Sequence, residues 1–241
     1  MDHAIAAVIC AAGSSARMGG AKKEYLPLPG SPDSLTVLGA AVCAFAAVSE
    51  IKIIVIVVPA TPETGEISAR NALPPEILAG SARKVRFVTG GCTRRASVFN
   101  ALRALSADAP DYVLIHDGAR PWISPELIKR VIIGVKKYNA VIPLLPLTET
   151  PKETDLPLDG SFGGSPVFIK QQLKRAFIGT AQTPQAFAFP EILAAHEKAD
   201  AREGKDYTDD AEVWSEFCGP VAAVPGETVN RKITFKEDMP C

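Results

Sequence analysis

The sequence predicts an α/β fold in which a mainly parallel sheet carries helices on both faces. Short apolar runs alternate with longer stretches of helical spacing from Ile5 to Phe217, a pattern typical of strands joined by helical crossovers. The clearest run, Ile51–Val58, is apolar at all but one position, as expected for a strand covered on both faces. Ligands of such sheets bind beyond the carboxyl ends of the strands, so a site is expected there.

Length and composition favour one large domain. The chain has 241 residues, of which 47% are hydrophobic and 22% are charged, ordinary values for a globular protein with a sizeable core. We expect a single domain over residues 1–241. The 26 basic and 27 acidic residues give a net charge of −1, which provides no general attraction for nucleic acid or anionic membranes. We therefore expect neither partner, and any bound anion must be held by a local cluster.

The cysteines and the start of the chain favour a cytoplasmic protein. The five cysteines are scattered and include no C-x-x-C spacing, so neither a zinc site nor a disulfide framework is expected. The residues before the first strand, Met1 to His3, contain no basic segment of the kind that opens a signal peptide. The first apolar run is also too short to cross a bilayer. These features predict a location in the reducing cytoplasm.

Apolar spacing and turn residues define the individual elements. Continuous apolar runs bounded by Gly, Pro, Asp or Asn indicate strands, and apolar residues at helical spacing indicate helices. Ser124 is a suitable N-cap, and the run from Thr208 to Asp210 can cap a further helix. In chain order the predicted elements are strand Ile5–Ala12, helix Ser34–Val48, strand Ile51–Val58, strand Val85–Val88, helix Cys92–Leu105, strand Asp111–Ile115, the helix from Ser124 to Lys137, strand Ala140–Leu145, helix Pro190–Arg202, the capped helix that ends at Phe217, and candidate strands Val221–Val224 and Asn230–Phe235.

The alternation of strands and helices lapses between Pro146 and Gly164. The segment is rich in proline, glycine, threonine and glutamate, so it is too polar to pack as core. Two explanations compete. The segment is either a disordered surface loop or an arm that becomes ordered by reaching another subunit.

The stretch after the first strand has the composition of a phosphate-binding loop. The small residues from Gly13 to Ser15 let the backbone approach a ligand closely, and successive main-chain N–H groups in such a turn can bind an anion. Arg17, Lys22 and Lys23 add cationic side chains. Neither the G-x-G-x-x-G pattern of dinucleotide-binding proteins nor the G-K-[ST] pattern of ATPases fits. The ligand would carry several phosphates; the alternative is a buried strand that ends in a solvated basic turn.

Polar clusters also follow other predicted strands. They are Gly13–Lys23, Gly90–Ser97, His116–Arg120 and Thr148–Lys152. Because the carboxyl ends of parallel strands share one edge of the sheet, we expect these clusters to meet there. One charged loop could occur at that edge by chance, but several on one rim indicate a site.

Several short blocks occur in order over nearly the whole chain: AAGSSARM, KEYL, GGCTRRASV, HDGAR, QTPQAF, TDDA and NRKIT. Their order and separations resemble the 2-C-methyl-D-erythritol 4-phosphate cytidylyltransferase family. The resemblance implies a Rossmann-like fold of the nucleotide-diphospho-sugar transferase type. It also implies transfer of CMP from CTP to 2-C-methyl-D-erythritol 4-phosphate, which yields 4-diphosphocytidyl-2-C-methyl-D-erythritol and pyrophosphate in the non-mevalonate isoprenoid pathway. The alternatives are a ribitol-5-phosphate cytidylyltransferase, which shares most blocks, and a non-catalytic nucleotide-binding relative.

The resemblance assigns catalytic roles to four cations of this sequence. Arg17 and Lys23 match residues that stabilise the charge developing on the α-phosphate, and Arg175 and Lys232 match residues that align the acceptor. The assignment suits the chemistry, because nucleotidyl transfer depends on positioning and charge stabilisation rather than on a protein nucleophile.

The resemblance also implies binding residues, a metal ion and CTP as the co-substrate. Mg²⁺ typically bridges nucleotide phosphates with one or two protein carboxylates, and Asp117 is the candidate ligand. His116 is expected to be structural. The positions that match nucleotide-binding residues are Ala11, Ala12, Gly13, Ser14, Gly91, Arg94, Ser97, Asp117 and Gly118, and those that match acceptor-binding residues are Arg120, Thr150 and Thr183.

For two of these assignments, another residue could take the same role. Arg175 is reached by counting back from the QTPQ block, and Lys170 or Lys174 could fill the same place. Lys22 stands next to Lys23, so the catalytic lysine could be either one. Residues 146–176 are predicted to form an inserted arm, through which we expect a homodimer.

Overall fold

The computed structural model describes residues 3–19, 21–31, 35–61, 63, 65–79, 84–158, 166–202 and 205–240. They confirm the predicted α/β fold, with a central eight-stranded sheet. The strands are β1 (Ile5–Cys10), β2 (Ile51–Val58), β3 (Lys84–Thr89), β4 (Tyr112–Asp117), β5 (Ala140–Pro146), β6 (Lys152–Thr154), β7 (Ile169–Gln172), β8 (Gly179–Ala181), β9 (Gln185–Ala188) and β10 (Ala222–Pro225). The α-helices are α1 (Val37–Ala46), α2 (Glu66–Asn71), α3 (Pro75–Ala79), α4 (Arg94–Leu105), α5 (Pro125–Tyr138), α6 (Phe189–Asp200) and α7 (Asp210–Phe217).

Strand β1 lies at the centre of the sheet and is parallel to both of its neighbours, β2 and β4. The strand order is β10-β5-β9-β4-β1-β2-β3, with β8 paired to β5. The sheet is mainly parallel, as predicted, but β9 runs antiparallel between β4 and β5. Cys10 at the end of β1 is the register partner of Asp117 at the end of β4. The loops that follow these two strands therefore leave the sheet side by side.

Helices cover both faces of the sheet, which explains the continuous apolar runs. In β1, Ile9 belongs to the same buried cluster as Phe45 of α1, whereas Val8 belongs to the cluster that contains Leu102 of α4. Successive side chains of a strand point to opposite faces. Every position of a doubly covered strand must therefore be apolar.

Side-chain caps fix the starts of four helices. The cap accepts a backbone N–H at α1, α4, α5 and α7, where the capping residues are Thr36, Thr93, Ser124 and Asp209. Such a cap typically contributes about 1 kcal/mol. Ser34, the predicted start of the first helix, lies outside the described residues. No helix in the described ranges is both long and apolar enough to cross a membrane.

The prediction of a strand over Asn230–Phe235 is wrong. This segment is irregular and crosses the carboxyl edge of the sheet, where the N–H of Ile233 donates to the carbonyl of Ala119 (2.9 Å). The buried side chain of Asn230 donates to the carbonyl of Thr183 (2.9 Å). These long-range hydrogen bonds replace strand pairing, and Val221–Val224 corresponds to the observed β10.

The segment that follows β5 contains a small separate sheet. Strands β6 and β7 pair antiparallel, and β8 then returns to the end of β5. The described part of the segment forms strands, and residues 159–165 lie outside the described ranges. Side chains of Phe168 and Phe177 are exposed, the latter by 85%. The division into one domain with an inserted arm at 146–176 stays a prediction.

Candidate active site

The loops that follow β1, β3 and β4 enclose a cleft at the carboxyl edge of the sheet. Its volume is about 440 Å³, within the usual range of small-molecule sites. The predicted site residues that line it are Ala12, Gly13, Ser14, Lys23, Gly91, Arg94, Ser97, Asp117 and Lys232. Residues of three of the predicted strand-end clusters therefore line one cleft together with the loop that carries Lys232, whereas the fourth cluster, Thr148–Lys152, does not line it.

Small residues form the wall of the cleft where the loop after β1 meets the loop after β3. A Cβ atom at Gly90 would lie 2.5 Å from the Cβ of Ala12 and 2.9 Å from the Oγ of Ser97. The N–H of Gly91 donates to the same hydroxyl oxygen (3.1 Å). The loop after β3 thus packs directly against the loop after β1. Gly90 permits this close approach because it has no side chain.

Lys22 and Lys23 differ in where their side chains reach. The buried Lys23 donates from Nζ to the carbonyl of Ile233 (2.7 Å) and lines the cleft. Lys22 instead donates to the carbonyl of Gly13 (2.5 Å) and pairs with Glu24 (2.9 Å). The geometry places Lys23 in the cleft and Lys22 where it holds the first loop together.

Asp117, the last residue of β4, lies among three cationic side chains. The Nζ of Lys232 is 2.8 Å and the Nε of Arg120 is 3.7 Å from Oδ2, and the Nε of Arg94 is 3.6 Å from Oδ1. Burial alone would raise the pKa of this carboxyl group, but the three cations outweigh it and hold the pKa well below its ordinary range. Asp117 therefore carries a negative charge at physiological pH.

Arg94 connects the cleft to a second, deeper carboxylate. Its Nη1 atom donates to Oδ2 of Asp210 (2.9 Å), while its Nε faces Asp117. Asp210 is only 1% exposed and lies at the start of α7. Burial alone would lower the pKa of the Arg94 guanidinium, but the two carboxylates raise it above its ordinary value. Arg94 thus remains charged in the wall of the cleft.

Thr183 and His116 form a buried pair behind Asp117. The Thr183 hydroxyl accepts the N–H of Asp117 (3.1 Å) and lies 3.0 Å from Nδ1 of His116. Burial lowers the pKa of His116 to about 4, so the ring is neutral at neutral pH. Neither side chain lines the cleft; both support the strand end that carries Asp117, which agrees with a structural role for His116.

Three other predicted residues also lie beside the cleft rather than in it. The N–H of Ala11 donates to Val57 (2.9 Å) and that of Gly118 donates to Cys10 (2.9 Å), so both hydrogen bonds belong to the strand ends. Arg120 uses Nη1 to hold the carbonyl of Asn230 (2.8 Å). These residues support the backbone around the cleft but do not line it.

The arm residues lie apart from the cleft of their own chain. Thr150 and Arg175 are exposed, and Arg175 donates to the carbonyl of Thr148 (2.6 Å) within the arm. Neither is a lining residue of the cleft. Arg17 lies in a short helical turn, Ala16–Met18, beside the cleft, and its side chain is outside the part of the structure that is described.

Comparison with known proteins decides the family. The chain matches the family model described as 2-C-methyl-D-erythritol 4-phosphate cytidylyltransferase over residues 5–241. The chain belongs to this cytidylyltransferase family. A bifunctional enzyme IspD/IspF of Nitrobacter hamburgensis is 39% identical over 97% of this chain, and one of Bartonella tribocorum is 33% identical over 99%. These matches cover 53% and 55% of the two relatives, so the chain spans about half the length of the curated relatives it matches.

Solved structures agree with the cytidylyltransferase family. The 4-diphosphocytidyl-2C-methyl-D-erythritol synthase of Anaerococcus prevotii superposes with a TM-score of 0.77 and is 31% identical, covering 99% of this chain and 93% of its own. The 2-C-methyl-D-erythritol 4-phosphate cytidylyltransferase of Thermus thermophilus superposes with a TM-score of 0.67 at 27% identity, covering 96% and 94% of the two chains.

The sequence did not predict that the side chain of Asp210 contacts Arg94. The prediction gave both carboxylates of the TDDA block to helix capping, whereas Asp209 alone caps α7 by accepting the N–H of Glu212 (2.9 Å). A signal was available, because one helix has one N-cap and the second carboxylate needed another partner. Cys10 and Cys92 also line the cleft, and nothing in their sequence context distinguishes them.

Proposed function

We propose that this chain transfers CMP from CTP to 2-C-methyl-D-erythritol 4-phosphate and releases pyrophosphate, as a cytoplasmic step of the non-mevalonate isoprenoid pathway. One observation carries the proposal: a chain of this family has a cleft lined by the cations Lys23 and Lys232, with Lys232 paired to the carboxylate of Asp117. Family membership supports the reaction class, and the cleft supplies a place where fixed cations can meet phosphates.

The proposed reaction is an in-line displacement at the α-phosphorus of CTP. A phosphate oxygen of the acceptor forms the new P–O bond while the bond to pyrophosphate breaks. Cations that are already in place lower the barrier because they stabilise the developing charge without reorganisation. Lys23 is held by the carbonyl of Ile233 and Lys232 by Asp117. In this proposal Lys23 and Arg17 stabilise the α-phosphate, and Lys232 orients the acceptor.

The nucleobase would lie against the wall of small residues. Ala12, Gly13 and Gly91 line that side of the cleft, and the Ser97 hydroxyl fixes the backbone of Gly91. Gly90 and Ala12 approach each other so closely that no space for a larger base lies between the two loops. A pyrimidine suits this wall better than a purine, which supports CTP as the nucleotide.

In this proposal Asp117 holds a Mg²⁺ ion. The carboxylate is anionic and lines the cleft, and carboxylate oxygens are ligands that Mg²⁺ prefers. Within the described ranges, no cluster of three or more His, Cys, Asp or Glu side chains could hold a metal unaided. Nucleotide phosphates would therefore complete the coordination, which is common for Mg²⁺. When bound, the ion would neutralise part of the phosphate charge.

The acceptor site would be completed by the arm of a second copy of the chain. Thr150 and Arg175, which match acceptor-binding and aligning residues, lie in the arm and away from their own cleft. The arm also exposes Phe168 and Phe177, and covering such apolar side chains favours association. We infer a homodimer in which residues 146–176 of one protomer reach the cleft of its partner.

Pyrophosphate release tests the proposed function. CTP, ATP and GTP are each offered with 2-C-methyl-D-erythritol 4-phosphate, with ribitol 5-phosphate or without an acceptor. Only the pair of CTP and the erythritol phosphate should give rapid release, and Lys232→Met should abolish it while the surface variant Lys236→Met does not. Faster release with ribitol 5-phosphate would assign the alternative acceptor. CTP binding without release in any mixture would indicate a non-catalytic protein.

A further inference from the structure

The buried carboxylate of Asp210 contacts a side chain that lines the cleft. It is almost fully buried, yet its shortest contact with a side chain goes to Arg94, whose side chain is 30% exposed and lines the cleft. The guanidinium group bridges two carboxylates, with Nη1 at Asp210 and Nε at Asp117. Asp210 thus has one neighbour in the interior, His196, and a closer one, Arg94, in the wall of the cleft.

The surroundings of Asp210 fix its position. The side chain of Gln185 accepts the N–H groups of Asp210 (3.1 Å) and Ala211 (3.0 Å), and it donates to Oδ2 of Asp209 (2.7 Å). The other carboxylate oxygen of Asp210 lies 3.3 Å from Nε2 of the buried His196. Gln185 begins β9, which pairs with β4. Asp210 is therefore tied to the strand that neighbours the one ending at Asp117.

We propose that Asp210 is a positioning residue of the active site, which holds Arg94 beside Asp117 so that the cleft keeps a fixed pattern of charge before the ligands bind. The inference rests on the proposed function and deepens it. Without Asp210, Arg94 would keep one anionic partner, Asp117, whose Oδ1 atom is already 3.6 Å from Nε. The guanidinium would then close on Asp117 and occupy the carboxylate that the proposed reaction uses. Preorganised charge of this kind is a main source of catalysis.

A double-mutant cycle distinguishes positioning from a general structural role. Asp210→Asn and Arg94→Gln should each lower kcat/KM about 10-fold or more, because small misplacements of site groups are costly. If Asp210 acts through Arg94, adding Asp210→Asn to Arg94→Gln should lower kcat/KM no further. Thr36→Ala is the control, because it removes the cap of α1 and Thr36 makes no contact with Asp210 or Arg94. It should lower the melting temperature and leave kcat/KM near the wild-type value.

A spectroscopic measurement tests the same inference without turnover. The Nε–H resonance of Arg94 in ¹⁵N NMR should be sharp in the wild type and in Thr36→Ala, and it should shift or broaden in Asp210→Asn. If Asp210→Asn does not fold, Asp210→Glu retains the charge but moves it by one methylene, and it should shift the resonance and lower kcat/KM.

Two results would overturn the inference. One is that Asp210→Asn lowers kcat/KM by the same factor in the wild type and in Arg94→Gln. The other is an unchanged Arg94 resonance when residue 210 is replaced. A wild-type protein that releases no pyrophosphate would instead contradict the proposed function, and the resonance would still report whether Asp210 positions Arg94.

Discussion

The Nζ atom of Lys232 lies 2.8 Å from Oδ2 of Asp117, so the last loop of the chain closes on the end of a central strand. Asp117 also faces Arg94 and Arg120. Three cations around one carboxylate leave the cleft with an excess of positive charge, which suits a ligand that carries phosphates. The carboxylate keeps the cations ordered while no ligand is bound.

Replacing Asp117 by Asn should weaken the metal dependence of turnover. The amide keeps the shape but loses the charge, so the Mg²⁺ concentration for half-maximal pyrophosphate release should rise about 10-fold or more, the scale of losing support at a metal site. CTP binding without metal, measured by calorimetry, should change much less. Asp111→Asn, at the exposed opposite end of the same strand, is the control. An unchanged Mg²⁺ requirement in Asp117→Asn would leave Asp117 with a structural role only.

Lys23→Met should lower kcat about 100-fold or more with the fold intact, as expected when one charge-stabilising donor is removed. Lys22→Met should lower kcat less than Lys23→Met does, because Lys22 contacts Gly13 and Glu24 and does not line the cleft; it should also lower stability, because it leaves the nearly buried Glu24 without its partner. Steady-state kinetics and circular dichroism of both variants check this. If Lys22→Met proves the more damaging change, the assignment of the two lysines must be exchanged.

Acid should destabilise the protein through His116. Its pKa is about 4 in the folded chain because the ring is buried, against about 6.5 when unfolded. Between these values the unfolded state binds more protons, so this contribution is fully present above pH 6.5 and is lost as the pH falls to 4. The loss is about 3 kcal/mol.

Urea unfolding at pH 7 and pH 4.5 measures this dependence. His116→Gln should reduce the difference in unfolding free energy between the two pH values. Equal acid sensitivity of the wild type and His116→Gln would contradict the prediction.

Mixing two inactive proteins should restore activity if the arm serves the partner. In a heterodimer of Lys23→Met and Arg175→Ala, one cleft keeps its own Lys23 and receives an intact Arg175. Random pairing makes half of the dimers mixed, each with one complete site, so roughly a quarter of the wild-type activity should return after co-refolding. Lys23→Met mixed with Lys232→Met is the control, because each mixed cleft still lacks one residue. If the first mixture regains no more activity than the control mixture, Arg175 does not act in the partner's site.

The sequence predicted the parallel part of the sheet because its central strands, such as Ile5–Cys10, are largely continuous apolar runs. The direction of β9 could not be predicted, because Gln185–Ala188 is buried whichever way it runs. The segment Asn230–Phe235 resembles a strand locally. Its conformation depends on hydrogen bonds to Thr183 and Ala119, which are distant in sequence.

The site was predicted where charge and strand ends coincide, as at Lys23 and Asp117. Choosing between Lys22 and Lys23 required the backbone of a short helical turn, Lys23–Tyr25, which directs the two side chains differently. Asp210 was misread for a related reason: capping is a local pattern, whereas its contact with Arg94 joins distant parts of the chain.

The close approach of Gly90 to Ala12 limits how this cleft can change. The wall there is built from Ala12, Gly13 and Gly91, so almost no side-chain atoms remain to be removed. Apart from Ala12→Gly, which removes one methyl group, substitutions at these positions add atoms and narrow the space. A variant that accepts a larger base would need an insertion or deletion in the loops, so engineering of nucleotide preference should begin with loop length rather than with point mutations.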